Sequence, residues 1–544
     1  MTTPAVDPFH AHAHPAHARA HATLLALALM ALAVSQVFAQ TQPAAGPRFD
    51  IRGFRVEGAT LIAPADIDAA VAAFVGPSRS FADVRAAAAA IERLYAAKGY
   101  GVVQVIVPEQ QVKDGDITLE VLEAKLGRVT VEGNRHFDDL NVRASVPALE
   151  TGKAPNVAAL ARQLRVANEN PSKQTTVLLK SGAAPGEVDA LVRVVDDRTQ
   201  RFSLSVDNTG TPPTGQYRVG VGYMNANLWN RDHVFNAQYV TSPSKPGDVA
   251  IVAGSYRIPL YSLGDSVELF AAYSDVNSGV VQGLFNVAGK GTVVSGRYNW
   301  NLPRWDALES RIAFGADWKK YDSRVLPVGG TLDLVPDVIV HPLSAVWSGV
   351  YRRGPTETGL YAGYFRNIPG GPDGGQETFD QIRPGATANY GIWRAGGSFV
   401  WALPVDVQFR GRMSFQYSPD LLVPGEQFGI GGIDSVRGFY EREVVGDRGY
   451  QGQAEIYTPD VGNRIPANGV RMRALAFYDW GAVRRNDPVF PEIPRQGISS
   501  AGVGVRVGWR NNVSLRFDYA WVLQSAAASP FGEKRANFVA SFAY

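Results

Sequence analysis

Residues 512–521 read Asn-Val-Ser-Leu-Arg-Phe-Asp-Tyr-Ala-Trp. In an extended chain Val513, Leu515, Phe517, Tyr519 and Trp521 share one face, and Ser514, Arg516, Asp518 and Ala520 share the other. Residues 501–509 repeat the pattern, with Val503, Val505, Val507 and Trp509 opposite Gly502, Gly504, Arg506 and Gly508. In 407–417, Phe409, Met413, Phe415 and Tyr417 oppose Gln408, Arg410, Arg412 and Gln416. The chain ends with Phe538, Ala540, Phe542 and Tyr544 on one face. From Arg201 onward, alternating segments of about ten residues recur between turn-forming residues, the pattern of a transmembrane β-barrel. A soluble β-sandwich also alternates. Aromatics near strand ends suit a lipid-facing girdle, however, and arginines on the polar faces suit a hydrated lumen. Counting from Arg201 gives sixteen antiparallel strands, with fourteen reached only by shifting boundaries.

The composition agrees. Lys+Arg (53) and Asp+Glu (51) nearly cancel to +2, so nothing points to nucleic acid. Glycine is abundant (56), aromatics make up 10%, and mean hydropathy is −0.10, as expected of a barrel with an apolar outside and a polar inside. The absence of cysteine excludes a disulfide framework and thiolate metal sites.

The N-terminus reads as an export signal. Ala22–Ala39 is apolar, and Val37 and Ala39 place small residues before a cut at Gln40. Its apolar centre, Leu24–Val34, is short for a membrane anchor. His10, His12, His14, His17 and His21 lie in this segment, so a metal-binding role for them is of little weight once it is removed. After Ala39 no stretch approaches about 18 apolar residues, which leaves an exported soluble protein or a barrel.

Residues 49–197 read as two copies of one β-α-α-β-β unit. The first has a strand ending Phe54-Arg55-Val56-Glu57-Gly58, helices over Pro64–Phe74 and Phe81–Lys98, and strands Val102–Val107 and Ile117–Leu122. The second opens with Val129-Thr130-Val131-Glu132-Gly133, about 75 residues later. Helices near Asp138–Val146 and Val157–Asn168 and strands Thr175–Leu179 and Val188–Val195 follow. The division is a signal peptide (1–39), a short linker (40–48), two α+β units (49–124 and 125–198) and a barrel (199–544). One connection, 419–448, is far longer than its neighbours. It contains Gly429-Ile430-Gly431-Gly432-Ile433-Asp434-Ser435-Val436-Arg437-Gly438-Phe439. Long loops of this kind carry function or are disordered.

Together these features resemble the two-partner-secretion transporters, the TpsB or haemolysin secretion/activation (ShlB/FhaC/HecB) family, and the repeats resemble POTRA domains. Val436-Arg437-Gly438-Phe439 matches the family's sixth extracellular loop, between strands 11 and 12. Phe477-Tyr478-Asp479-Trp480-Gly481 matches its F-x-D-x-G motif on strand 13. Alternation over 470–481 turns Asp479 inward with Arg471, Arg473, Phe477 and Gly481, and Glu455 faces inward by parity on strand 12. The resemblance implies that the loop folds into the lumen and that Arg437 pairs with Asp479, Glu455 being a secondary candidate. It also implies that an exported partner, adhesin- or haemolysin-like, adds a strand to a POTRA edge before crossing the outer membrane. The candidate edge residues are Val103, Val105, Val107, Thr176 and Leu178.

Many family members begin with a helix that plugs the barrel. Only Gln40–Arg48 precedes the first strand here, too short for such a helix, so the long loop is expected to be the main obstruction of the lumen. No nucleotide motif is present, so folding of the client outside is the expected driving force. The rival within the superfamily is a membrane-protein insertase, which usually carries three or more repeats. A porin would lack the repeats. An enzyme is not expected: His136, His233 and His341 have neither a serine-centred turn nor paired carboxylates beside them. No cofactor or metal is expected. The expected partners are the exported protein and outer-membrane lipid.

Overall fold

The computed structural model describes residues 47–544 apart from 112–113, 213, 276–279, 282–284, 287–289, 323–335, 465–468, 489 and 491. The expected signal peptide and residues 40–46 of the linker lie outside the described residues.

The first α+β unit contains β1 (Phe49–Ile51), β2 (Gly53–Glu57), α1 (Pro64–Val71), β3 (Gly76–Arg79), α2 (Phe81–Ala97), β4 (Val103–Ile106) and β5 (Asp116–Glu123). Helix α2 starts at a reciprocal Ser80–Asp83 capping box and buries Val84, Ala87, Ala88, Ile91 and Tyr95, a helical stripe. That stripe packs on Ile117, Leu119 and Val121 of β5, the central strand of the β2-β5-β4 sheet. The β1–β3 pair was not expected, because three- and four-residue strands carry no periodicity to read. The second unit contains β6 (Lys125–Glu132), α3 (Asp139–Ala144), α4 (Val157–Ala167), β7 (Lys173–Ser181) and β8 (Glu187–Asp196), in sheet order β6-β8-β7. Asp138 and Asn156 cap its helices through their side chains. The glycine that closes each V-x-G turn answers one steric demand. Gly58 and Gly133 adopt φ of 79° and 87°, and a Cβ there would strike the carbonyl oxygen of Val121 or Val194 on the central strand.

The rest closes into an antiparallel barrel of sixteen strands. In order they are strand 1 (Gln200–Asp207), 2 (Arg218–Leu228), 3 (His233–Thr241), 4 (Ala250–Leu260) and 5 (Asp265–Ser274). Strands 6 (Gly291–Asn301), 7 (Leu308–Tyr321), 8 (Pro342–Arg353, with Val338–Val340 ahead of it), 9 (Thr356–Asn367) and 10 (Gly391–Ala402) follow. The last six are strand 11 (Gln408–Tyr417), 12 (Arg448–Tyr457), 13 (Val470–Arg484), 14 (Arg495–Trp509), 15 (Val513–Gln524) and 16 (Lys534–Ala543). Strand 16 pairs back onto strand 1, from Val539↔Asp207 to Ala543↔Ser203, so no edge remains. Alternation is literal: Tyr478, Val503, Leu515 and Phe517 are exposed outside, while Asp479, Arg506 and Asp518 are buried inside.

The second unit is fastened to the near rim of the barrel by buried polar contacts. Lys173 Nζ lies 2.5 Å from Asp232 Oδ2 in the turn between strands 2 and 3, with the side chains 0% and 1% exposed. Asn141 Oδ1 accepts from the same ammonium at 3.0 Å, the Phe137 ring lies 4.8 Å from it, and the Tyr261 hydroxyl donates to Asp232. Burial pushes the Lys173 ammonium below the usual lysine range, against the pull of Asp232. Around this pair, Arg165 donates to Leu302 O (2.8 Å), Asn170 to Ala226 O (2.7 Å) and Asn230 to Asp138 (2.7 Å), and Arg257 meets Glu169. Lys173→Met would strand the Asp232 carboxylate at a cost of about 3–5 kcal/mol. The expected result is faster amide exchange in α3 and α4 with exchange in the barrel strands unchanged; unaltered exchange in those helices would remove the pair from its anchoring role.

Candidate functional site

The connection between strands 11 and 12 turns back inside the barrel. Its chain makes a short turn at Pro424–Glu426 and a small hairpin, Phe428–Ile430 against Val444–Gly446. Gly431 and Gly432, at φ of 107° and 110°, reverse the chain between the two halves. Ile430, Val436, Phe439 and Val444 form the hairpin's apolar underside, packed on Val483, Ile498 and Val522 from strands 13, 14 and 15. Small residues on the wall permit this approach. A Cβ on Gly438 would lie 3.2 Å from Ala520 Cβ, and one on Gly481 would lie 3.2 Å from Ile430 Cδ1. Gly502 leaves space for the Phe477 ring, which a Cβ there would strike.

The packing delivers Arg437 to the wall with 0% of its surface exposed. Its Nε lies 2.7 Å from Asp479 Oδ2 and its Nη2 2.8 Å from Asp479 Oδ1, a two-point fork, and its backbone N–H donates to Oδ2 at 3.1 Å. Nη1 meets Glu455 at 2.8 Å and Asp518 at 3.4 Å. The guanidinium lies over the Phe477 ring, 3.5 Å from its centre. A second tier surrounds the first. Asp518 also pairs with Arg506 (2.9 Å) and Arg516 (2.8 Å), and Arg516 reaches back to Asp434 of the loop at 2.7 Å. Gln453 donates to Ser435 O at 2.6 Å, and the Ser435 hydroxyl donates to Gln451. The cluster sets three guanidiniums against four carboxylates. Taking one arginine out of water costs several kcal/mol, so several acidic partners and full use of its donors are what make complete burial tolerable.

Two further anchors hold the root of the loop. Glu426 receives Lys319 (2.8 Å), the Tyr321 hydroxyl (2.7 Å) and Arg394 (3.3 Å). Asp447, fully buried, receives Arg383 Nη1 (2.6 Å) and the backbone N–H groups of Leu422 (2.9 Å) and Asn486 (2.7 Å). Arg383 follows a helix of about two turns, α5 (Gln376–Ile382), in the connection between strands 9 and 10. That connection packs Phe379, Ala386, Ala388 and Tyr390 over Leu422 and Val423.

The structure thus brings together Val436, Arg437, Gly438, Phe439, Glu455, Phe477, Asp479 and Gly481. It adds Asp518, Arg506, Arg516 and Asp434, which the sequence reading left out although alternation had turned Arg516 and Asp518 inward. The edge candidates lie elsewhere. Val103, Val105 and Val107 turn into the core of the first unit, while Thr176 and Leu178 stand exposed on β7. Among the described residues no group of histidines and carboxylates is arranged to hold a metal ion.

Residues 49–124 match the POTRA domain of ShlB type, and 347–507 match the haemolysin secretion/activation protein ShlB/FhaC/HecB, a span containing the loop, Glu455 and Asp479. With the two matches, the POTRA units and the large barrel, the chain has the make-up of a TpsB/Omp85-superfamily outer-membrane transporter related to ShlB and CdiB. Its barrel lies in the outer membrane and its POTRA domains in the periplasm, which makes the loop side extracellular. At the level of the ShlB/CdiB-like family the function is that of a two-partner-secretion-type transporter, and members of the superfamily are transporters rather than catalytic enzymes. The outer membrane transporter CdiB of Dickeya dadantii is 22% identical over 432 residues, 76% of this chain and 72% of that protein. The heme/hemopexin transporter protein HuxB of Haemophilus influenzae is 26% identical over 156 residues, 28% of each chain. The solved structure of CdiB from Escherichia coli shares the fold at a TM-score of 0.73 and 19% identity, covering 94% of this chain and 92% of that one. CdiB from Acinetobacter baumannii does so at 0.64 and 16%, covering 92% and 90%.

Arg437→Ala leaves the buried Asp479 without its cation and takes one partner from Glu455 and Asp518, at a cost of about 3–5 kcal/mol. Arg437→Lys keeps the charge and loses the fork. The expected order of loop protection against protease in detergent is wild type, then Arg437→Lys, then Arg437→Ala, with cuts falling in 425–445. Equal protection of all three would show that packing alone holds the loop.

Proposed function

We propose that this transporter recognises an exported partner protein through its two POTRA domains and passes it through a barrel gated by the loop at Arg437. What supports the reading most is the state of that arginine. A guanidinium carried by a loop and wholly buried on the inner wall is a contact that must break before a chain can pass beside it. Its hold is polar and directional, supported on the tip by the Arg516–Asp434 and Gln453–Ser435 contacts and by an apolar face. Such a contact can be exchanged for water or for polar groups of a client without unfolding the wall. The lumen cluster contains both signs of charge, which suits passage of an unfolded chain of mixed composition better than selection of one ion.

The adhesin- or haemolysin-like character of the partner rests on family resemblance. Co-expression with a candidate large exported protein, scored by its appearance outside the cell, tests the transport reading. The gate has its own test, made simple because the chain has no cysteine. Gly438→Cys with Ala520→Cys joins positions where a Cβ added to Gly438 would lie 3.2 Å from Ala520 Cβ, close to the roughly 3.5–4.5 Å of a disulfide, and the reduced pair is the control for a side chain at φ 93°. Oxidised, the pair is expected to abolish export, and a membrane-permeant reductant to restore it. Undiminished export with the disulfide formed would rule out loop movement as the gate.

A further inference from the structure

The outer face of the barrel carries an uncompensated row of charge. Strands 12, 13 and 14 are in register at Arg448↔Arg484 and Arg484↔Arg495, so three arginines stand side by side, their backbones about 5 Å apart. All three point outward: Val483, beside Arg484, turns into the lumen, and alternation sends the arginines to the face that exposes Tyr450 and Tyr478. Like charges directly opposite one another destabilise a sheet. The strands themselves offer no relief. The acidic side chains of strands 11–15 are Glu455, Asp479 and Asp518, and each turns inward to Arg437. In the turn between strands 13 and 14, Glu492 is taken by Arg485 (3.4 Å) and Arg383 (3.3 Å), and Asp487 pairs with none of the row. Among the described residues the side chains of Arg484 and Arg495 have no partner. Arg448 has only the Tyr417 ring, 5.9 Å away, and its Nε is screened from water without a hydrogen bond.

The row lies at a defined height. Strand 12 leaves the extracellular loop at Arg448, next to the buried root residue Asp447. On the membrane side of the row come the outward aromatics Tyr450, Tyr478 and Trp480, the last two stacked with ring centres 5.6 Å apart. Such a girdle marks the boundary between hydrocarbon and headgroups. Trp480 and Arg484 are separated by about 13 Å along the strand, which puts the guanidiniums among the headgroups of the extracellular leaflet. Between aromatics and arginines runs a groove of about 700 Å³, walled by Tyr450, Tyr478, Trp480, Arg495 and Gln524 and floored by the small residues Ala482 and Gly497. Gly452 leaves room for the Trp480 ring, which a Cβ there would strike.

A lone arginine at an interface is satisfied by water. Three in register are a preformed site for an anion with several oxygens, because each guanidinium can offer a two-point fork and the anion cancels their mutual repulsion. The extracellular leaflet of an outer membrane is built from phosphorylated glycolipid, and the groove below the row has aromatic faces for sugar and apolar walls for the root of an acyl chain. We propose that Arg448, Arg484 and Arg495 bind the phosphate of an outer-leaflet glycolipid of the lipid A type, whose sugar and acyl root lie in the groove over Tyr478 and Trp480. The site holds whether or not the barrel exports a client. It lies on the back of the strands that carry Glu455 and Asp479, so the bound lipid braces from outside the wall that receives Arg437.

The test uses the full chain in non-ionic detergent micelles, titrated with purified diphosphoryl lipid A and read by native mass spectrometry as the fraction of protein retaining one lipid. Arg484→Gln with Arg495→Gln is expected to bind about thirtyfold more weakly than the unaltered protein. Arg484→Lys with Arg495→Lys keeps the charge without the fork and should fall between them. Arg510→Gln removes a cation from the opposite rim, where it lies over Trp509, and should bind as the unaltered protein does. The substitutions in the row relieve repulsion and break no ion pair, and the mobility shift on heating checks that each barrel is folded. The unaltered protein supplies an independent arm: lipid A stripped of its phosphates, and phosphatidylglycerol, should each be retained at least tenfold less well, on the order of one arginine–phosphate contact or more. Equal retention of either lipid would overturn the proposal, as would equal weakening by Arg510→Gln. Release of bound lipid A by millimolar inorganic phosphate would assign the row to the free ion and overturn it too.

Discussion

A guanidinium removed from water must find its compensation in the protein, and much of this barrel's inner wall is arranged around that demand. Arg437 has carboxylates on three strands of the lumen wall, 12, 13 and 15, so a single loop side chain ties together separate strands across the intervening strand 14. The glycines facing it have a related origin. Gly438 lets the tip approach strand 15, Gly502 seats the ring on which the guanidinium lies, and Gly481 admits Ile430. Replace the arginine by a neutral residue and these features lose their common reason.

Much of the architecture was legible because the barrel and the POTRA repeats obey short-range periodicities. Alternation placed Asp479, Glu455, Arg516 and Asp518 on the inner face, and the repeated V-x-G turn marked two copies of one unit whose steric cause is the carbonyl of the central strand. What alternation cannot supply is height. Asp479 and Asp518 are 39 residues apart, and whether both reach one loop arginine depends on strand stagger and on where the loop tip rests. The Arg383–Asp447 contact is harder still to read, since it joins two connections with neither periodicity nor motif. Lys173 fell between the expected helix 157–168 and strand 175–179 with nothing to mark it, and only the docked turn at Asp232 makes it a buried cation.

The POTRA domains show how a sheet edge is managed by single side chains. Glu92 and Asn168 each extend from a helix to take backbone groups that would otherwise invite another chain. A carboxylate satisfies one donor; an amide satisfies a donor and an acceptor together and so copies a strand residue more completely. The difference is invisible in the pattern of apolar residues that defines the fold. It decides which stretches of edge are left open.

The loop is tied at its root on both sides, through Glu426 and Asp447, while Arg437 fastens its tip. A tip released from the wall therefore stays within a small volume around its own docking site. Re-engagement is a unimolecular event at an effective concentration in the range of about millimolar, set by the tether rather than by the number of molecules in the membrane. If the loop is the gate proposed above, its closed state would be self-restoring, with resealing set by the tether and independent of how much partner is present.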